Sequence, residues 1–405
     1  MTLNKLGEAY ASKGPLPFAF FQPILLYGLR AGFQATDERD RLFSLKGICN
    51  ELDEITVDYQ NSAKTLYTDF AWRFCHQQPH GLSLLAQVEQ RTSEPSASGV
   101  TTSLGRYLRR CLYGPQSSSE LPSWVPDLSK KMYHLNLIRK YHDSPKPFQA
   151  TLDQMPSIQR HGDVLRVEAT RLDILTDVSE SASEMFSDWS MLRLLRIVTQ
   201  IPQTYKWTSE DRGEAFWRTI IVWSPDNETY PSPFSSRQLV NQWLLDQLAK
   251  CRVYVLLGTI PYSRWANQVR LVEHLAATDE EIIPSSVEIY EYCLTLMAHL
   301  MDPTASAWGL VQPRLVSQKA SRLASGTLKD LRVFRTKQNY LGKGYSNITV
   351  GDSVWLIRGA EIPYILRRTC RGRYRLIGQA YVHGIMFGEA VAPDRHVTWE
   401  SIEIE

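Results

Sequence analysis

Two titratable side chains near the C-terminus have the types and spacing that acid–base chemistry needs. In YVHGIMFGEA, residues 381–390, His383 and Glu389 flank two glycines near a predicted strand end, where the missing side chains allow close approach of a backbone or ligand. With Asp352 they could supply an acid and a base near neutral pH, so these three are candidate catalytic residues. The competing interpretation is a hydrogen-bond network that maintains the fold, because polar clusters are often structural.

A tryptophan held between two prolines is the next candidate. In LPSWVPDLS, residues 121–129, the prolines restrict the backbone and hold Trp124 in one pose, while Asp127 can accept backbone N–H groups or cap a turn. We interpret Trp124 as filling the seam between a helical layer and a sheet, as fixed aromatic residues usually do. The alternative is the wall of a ligand pocket, in which Trp124, Asp127 and Tyr381 would be the substrate-binding residues.

Metal and dinucleotide chemistry are not predicted. His76 and His80 are four residues apart, but Pro79 breaks the helix that would align them, and the six cysteines contain no Cys-x-x-Cys pair. The run GKGYSN from Gly342 lacks the third glycine and the preceding strand of a dinucleotide loop. We interpret it as a glycine turn before a strand near Ser353, and we expect no metal and no cofactor.

Charge and hydropathy limit the partners. The chain has 45 basic and 43 acidic residues among 405, so no overall field draws it to nucleic acid or to an anionic membrane. Residues 367–375, RRTCRGRYR, carry five arginines but are typical of a hairpin with solvated faces. The apolar segment 18–29 is shorter than the roughly 20 residues that span a bilayer, and no secretory signal precedes it. We expect a protein partner or an apolar small molecule, no nucleic acid, no membrane span and a cytoplasmic location, and we leave the oligomeric state open.

The elements that must position these residues begin with two helices. TDERDRLFSLKGIC, residues 36–49, predicts a helix that Thr36 caps. Asp58 is predicted to open the next helix, along which apolar residues recur at helical spacing: Ala63, Leu66, Phe70 and Phe74. We expect these two helices to pack together.

A change of period follows the tryptophan motif. From Gly162 onward Leu165, Val167 and Ala169 alternate with polar residues, which predicts a half-buried strand. Ile174 and Val178 suggest a second strand beside it.

The helical period returns between residues 183 and 319. One helix is predicted over residues 239–248. In another, Ser285 and Glu288 form a capping box and Pro303 ends the helix. Its apolar residues form a stripe: Val287, Tyr290, Leu294, Met297 and Met301.

Three short segments near the C-terminus predict strands, at residues 351–359, 363–368 and 374–384. Neither strand block has enough strands to be stable alone. We therefore predict an α+β fold in which an N-terminal helical region and an inserted helical bundle pack on a small antiparallel sheet or barrel built from both blocks. The expected divisions are a helical region (1–120), the tryptophan motif with the first strand block (121–182), the helical insertion (183–319) and the C-terminal strand block (320–405).

Three stretches, in this order, resemble the fungal heterokaryon incompatibility (HET domain) proteins. They are ATDERDRLFSLKGIC with VDYQNSAKTLYTDFA, then LPSWVPDLS, then the run from NYLGKGYSNITVGDSVWLIRG to YRLIGQAYVHGIMFGEAV. No counterpart of the family's N-terminal TIR-like domain, to which cell-death activity is attributed, is found in the sequence. The resemblance therefore implies the helical and β-rich C-terminal region of the family.

Two functional hypotheses follow. The first is a HET-like binding or scaffold module, without the death-effector domain, that acts through protein contacts. The second is a small-molecule enzyme of fungal secondary metabolism, a metal-independent cyclase, isomerase or dehydratase whose pocket the 11 tryptophans and 19 tyrosines could line. A closed aromatic pocket with converging polar groups would favour the enzyme, and a flat surface would favour the module.

Overall fold

The computed structural model describes residues 35–44, 46, 52, 54–77, 81–88, 121–128, 148–181, 184–185, 191–222, 236–258, 262–277, 282–301 and 331–405. Within them the helices are α1 (Asp40–Phe43), α2 (Ala63–Gln77), α3 (Leu192–Gln200), α4 (Arg212–Ile221), α5 (Ser236–Leu256), α6 (Tyr262–Ala276) and α7 (Ser286–Met301), with a 3₁₀ helix at Gly81–Gln87. The strands are β1 (Ile158–His161), β2 (Val164–Val178), β3 (Leu331–Thr336), β4 (Leu341–Tyr345), β5 (Ser353–Ile357), β6 (Tyr364–Arg368), β7 (Tyr374–Val382) and β8 (Glu400–Ile404). The segment 18–29 and the predicted helix breakers Pro79 and Pro303 lie outside the described residues.

Strand β2 closes the sheet into a barrel. It pairs with β5 on one side and with β3 on the other, and the order β3-β4-β7-β6-β5 completes the ring of six strands. Strands β1 and β8 extend the sheet along the first half of β2. The predicted α+β fold is confirmed, because strands distant in sequence form one antiparallel sheet.

The segment predicted as two strands is one continuous strand. Leu165, Val167 and Ala169 are buried on one face of β2, as the alternation predicts. The register then shifts between Arg171 and Asp173, and again further along the strand. A bulge of this kind adds a residue and bends the strand. The single strand can therefore turn from its pairing with β5 to its pairing with β3.

The first four residues of the run GKGYSN lie in the buried strand β4, so the prediction of a glycine turn is wrong. A Cβ atom on Gly342 would lie 2.5 Å from the carbonyl oxygen of Tyr381 and closer still to the ring of Phe334. A Cβ atom on Gly344 would lie 2.6 Å from Cδ1 of Ile365. The glycines are therefore needed for close packing across the sheet. Strands β1, β3 and β8 were not predicted either.

The two N-terminal helices pack together but start later than predicted. Helix α1 has no side-chain cap, so Thr36 does not cap it. At α2 the hydroxyl of Ser62, rather than Asp58, accepts the N–H of Thr65 at 3.1 Å. The hydroxyl of Tyr67 donates to the carbonyl of Glu38 at 2.5 Å, which joins α2 to the turn before α1. Three of the residues expected on the inner face of α2 are buried: Leu66, Phe70 and Phe74.

Helix α7 has the predicted capping box, but a different face of the helix is buried. The carboxylate of Glu288 accepts the backbone N–H of Ser285 at 2.8 Å, and the Ser285 hydroxyl accepts the N–H of Glu288 at 3.2 Å. Ile289 and Cys293 form the buried face. The first three residues of the predicted stripe instead face solvent: Val287, Tyr290 and Leu294.

A buried carboxylate fixes the helical block, which consists of α3 to α7, to the end of β2. Glu180, only 3% exposed, accepts the backbone N–H groups of Arg193 at 3.0 Å and Leu194 at 3.1 Å. These are two of the N–H groups that the first turn of a helix leaves unpaired, so Glu180 caps α3 from outside the helix. The position of α3 is thereby tied to the barrel.

The substitution Gly342→Val should destabilise the protein. Overpacking of a close-packed core costs about 1–3 kcal/mol, and we expect the upper part of that range because one clashing atom is a backbone oxygen. Urea denaturation followed by circular dichroism measures the loss. The control Val350→Ala, at a side chain that is 62% exposed, should change the free energy of unfolding by less than about 0.5 kcal/mol. Equal stabilities for the two variants would contradict the role of Gly342.

Candidate functional site

His383 lies at the centre of a buried polar cluster, directly after β7. Its side chain is 3% exposed. Its Nε2 atom is 2.8 Å from Oε2 of Glu210, and its Nδ1 atom is 3.1 Å from the hydroxyl of Tyr381. A carboxylate only accepts hydrogen bonds, so Nε2 of His383 carries a proton and donates it to Glu210. The structure therefore brings two of the predicted site residues together, His383 and Tyr381.

Tyr205 holds the backbone on either side of this cluster. Its hydroxyl donates to the carbonyl of His383 at 3.0 Å and accepts the N–H of Leu341 at 3.0 Å. The N–H of His383 donates to the carbonyl of Leu341 at 2.9 Å. Burial raises the pKa of the Tyr205 phenol, so the hydroxyl stays protonated and remains a donor. Tyr205 precedes α4, and it thus connects the helical block to β4 and β7.

Glu210 links His383 to a surface ion-pair series. Its Oε1 atom is 2.5 Å from Nη1 of Arg218, whose Nε atom is 2.5 Å from Oε1 of Glu214. Burial acts to raise the pKa of Glu210, but the hydrogen bond from His383 and the charges of His383 and Arg218 outweigh it. The pKa of Glu210 is therefore lowered from its ordinary value, and the carboxyl is ionised at neutral pH.

A buried lysine lies next to the cluster. Lys343 is 1% exposed, and its Nζ atom donates to the carbonyl of Ile220 at 2.8 Å. This carbonyl lies in the last turn of α4, where a cation is stabilised by the unpaired carbonyl groups and the helix dipole. Lys343 is paired with Tyr381 across β4 and β7. It therefore anchors the C-terminal end of α4 to the barrel wall.

The other two candidate catalytic residues have separate partners. Asp352, 2% exposed, forms a bidentate pair with Arg367 at 2.7 and 2.8 Å and accepts the N–H of Thr349 at 2.8 Å. Glu389 is exposed, and it accepts the N–H of Phe387 at 2.8 Å within its own turn. Both carboxylates therefore stabilise turns of the barrel.

Trp124 lies in the core between the N-terminal helices and the barrel. It is fully buried in a cluster that also contains Phe70 of α2 and Val167 of β2. Its indole N–H donates to the carbonyl of Asp163 at 2.8 Å. Asp127 is half-buried beside α2, where its charge adds to the effect of burial in raising the pKa of Tyr67.

The serine before Trp124 fixes this loop to the C-terminal strands. The backbone N–H of Ser123 donates to the carbonyl of Glu405 at 3.1 Å, and the Ser123 hydroxyl donates to the same carbonyl. The hydroxyl also accepts the N–H of Leu376 at 2.9 Å. The proline-tryptophan loop is thus a structural connection between β7 and β8.

Sequence reasoning missed Glu210, Tyr205 and Lys343. Glu210 is 173 residues from His383, and the sequence around it reads only as the start of a helix. The sequence did contain an indication that Lys343 faces the helical block. Lys343 stands between two glycines, and in a strand such alternation puts the lysine on one face and the glycines on the other.

The cluster has the order of a proton relay, from phenol to imidazole to carboxylate. Such an order can hold or move a proton when its terminal group meets a substrate. Here Tyr381 is 1% exposed and both ring nitrogens of His383 contact protein side chains. The arrangement is therefore suited to fixing the helical block on the barrel.

The part of the chain that the structure describes holds no group of three or more His, Cys, Asp or Glu side chains placed to bind a metal ion. Its helices are also too short or too polar to cross a membrane.

Fold and cluster together define an α+β protein in which a closed antiparallel barrel carries a helical block. Residues 261–398 match the family model described as the Het-6 beta-barrel domain. This match, over residues 261–398, is to a C-terminal region of heterokaryon incompatibility (HET) proteins and confirms the resemblance found in the sequence. The matched segment includes α7 and β3 to β7, whereas β2, which closes the barrel, lies before it. No curated protein and no solved structure matches the chain.

Glu210→Gln should reduce the loss of stability at acid pH. A carboxyl whose folded pKa is lowered stabilises the folded state above its ordinary pKa of 4.5, and this contribution is lost as the pH falls through the folded value. The wild-type free energy of unfolding should therefore fall more steeply than that of the variant as the pH is lowered from about 5. Urea denaturation at several pH values measures both slopes. Glu389→Gln controls for removal of one exposed carboxyl, and identical slopes for wild type and Glu210→Gln would contradict the assignment.

Replacement of Trp124 should have graded effects. Trp124→Ala should cost about 3–5 kcal/mol, because it leaves a cavity between the helices and the barrel. Trp124→Phe keeps a ring but leaves the carbonyl of Asp163 without its donor, which should cost less, about 1–3 kcal/mol. Chemical denaturation measures both values. A stability of Trp124→Ala within 1 kcal/mol of wild type would show that this side chain does not support the core.

Proposed function

We propose that this HET-like chain is a binding or scaffold module that acts through protein contacts. The observation that carries the proposal is a concentration of exposed apolar side chains on the helical block. Seven of the thirteen exposed large hydrophobic side chains among the described residues lie on or next to α5, α6 and α7. We call this set the helical surface: Tyr254, Leu256, Leu257, Tyr262, Val287, Tyr290 and Leu294.

The concentration of these side chains supports binding rather than chance exposure. Single exposed hydrophobic residues are ordinary, whereas a concentration on neighbouring elements is typical of interaction sites. Helix α5 packs against α7, and α6 contacts both. The aromatic members Tyr254, Tyr262 and Tyr290 are of a type enriched at interfaces, because a tyrosine combines a large apolar ring with a polar end.

The buried polar cluster around His383 supports the same proposal. Glu210, Tyr381 and Tyr205 account for both ring nitrogens and the backbone carbonyl of His383. An active site needs groups that can meet a substrate, and these groups are already bonded to each other. The proposed role of His383 is therefore to orient the helical block, so that the helical surface keeps a fixed position relative to the barrel.

Photo-crosslinking tests the proposal. A photoreactive phenylalanine analogue in place of Tyr290, in the full chain, should give a discrete cross-linked partner protein in an extract of the cells that produce it. The matched control places the same analogue at Val350, which is also exposed but lies in the turn before β5. Cross-linking of the same proteins from both positions, or of none from Tyr290, would contradict a specific binding role for the helical surface.

A further inference from the structure

Helix α7 has two apolar faces. Ile289 and Cys293 are buried, and Cys293 packs in a cluster with Ala249 and Val253 of α5. The other face carries Val287, Tyr290 and Leu294, which are 63%, 51% and 48% exposed. A surface helix of a globular protein usually buries one apolar stripe and exposes polar residues opposite it. The second face of α7 is therefore available for a contact outside the described fold.

The spacing of the second face is that of a helix–helix seam. Residues 287, 290, 294 and 297 are separated by three, four and three positions, as are the a and d positions of a heptad. The fourth of these, Met297, is half-buried. The apolar stripe is therefore exposed over its first three positions and partly covered at the fourth. Side chains at these positions insert between those of a facing helix. The occupant that fits the spacing is another amphipathic helix.

The charges beside this seam indicate what the facing helix carries. Glu291 is exposed beside the seam, whereas the carboxylate of the exposed Glu288 already accepts the N–H of Ser285 in the capping box; α7 contains neither lysine nor arginine. Charged residues beside a seam decide which helices pair, because opposite charges attract and like charges repel. A second copy of α7 would bring acidic residues together, which opposes self-association. Lysine or arginine beside the seam of a different helix would instead be attracted to Glu291.

We propose that the exposed seam of α7 binds an amphipathic helix of a partner protein that carries basic residues beside its own apolar stripe. The inference rests on the proposed binding function and names the partner's chemistry. Burial of Val287, Tyr290 and Leu294 supplies affinity, and Glu291 selects the partner's charge.

Two synthetic helical peptides test the inference with the full chain. Both are about 21 residues long, or three heptads, with leucine at the a and d positions. One has lysine at the e and g positions and the other has glutamate. Fluorescence anisotropy at peptide concentrations where each is monomeric should give at least about tenfold tighter binding of the lysine peptide, a difference of about 1.4 kcal/mol.

Variants of exposed residues then separate the two parts of the proposal. Leu294→Ala should weaken binding of the lysine peptide by about tenfold, because the apolar contact is lost. Glu291→Lys should remove or reverse the preference between the peptides. Val350→Ala is the matched control and should leave both affinities unchanged. Circular dichroism confirms that each variant is folded.

The outcomes distinguish this inference from the function on which it rests. Equal binding of the two peptides, or an unchanged preference in Glu291→Lys, would overturn the basic-helix partner. A dimer of the chain in analytical ultracentrifugation, dissociated by Leu294→Ala, would overturn it in favour of a second copy. A cross-linked partner from Tyr290 together with equal peptide binding would overturn only the inference, whereas absence of cross-linking would contradict the binding function itself.

Discussion

The backbone pairing of β2 is the interaction on which the architecture depends. Its hydrogen bonds to β5 on one edge and to β3 on the other convert an open sheet into a closed ring. An open sheet would leave unpaired N–H and C=O groups that invite association with other chains. Since β2 ends at Val178 and β3 begins at Leu331, the helical block lies between two strands that are neighbours in space. Closure of the barrel therefore also fixes where the helical block starts and ends.

Buried polar contacts then determine how the helical block is oriented. The carboxylate of Glu180 caps α3, the amine of Lys343 holds the C-terminal end of α4, and His383 meets Glu210. Each of these groups would be costly to bury without its partner, so an orientation that separates them is disfavoured. Apolar packing alone tolerates alternative arrangements, whereas these hydrogen bonds require specific pairs of atoms. His383, a candidate catalytic residue in the sequence, thus helps to orient the helical block on the barrel.

In the proposed function, the helical surface binds the partner and the polar cluster holds the helical block in position. The barrel and its buried contacts hold α4 to α7 in position, and α7 offers a seam of apolar side chains with acidic neighbours. A helix that is apolar on two faces can pack inside its own domain and still receive another helix. A rigid support of this kind lowers the entropic cost of binding, because little has to be ordered when the partner arrives.

Local patterns in the sequence determined several parts of the protein. The alternation around Leu165 and Val167, the Ser285–Glu288 capping box and the hairpin between β6 and β7 each depend on residues a few positions apart. The resemblance to HET proteins also came from the sequence, and the two strand blocks were expected to pair because neither could be stable alone. Only the tertiary structure decided that Gly342 lies in a strand, which face of α7 is buried, and that His383 meets Glu210. These features depend on contacts between residues distant in the chain, and local periodicity does not encode the partner of a residue. A helix with two apolar faces shows the reason most clearly, because its sequence allows either face to be inside and only the neighbouring helix selects one.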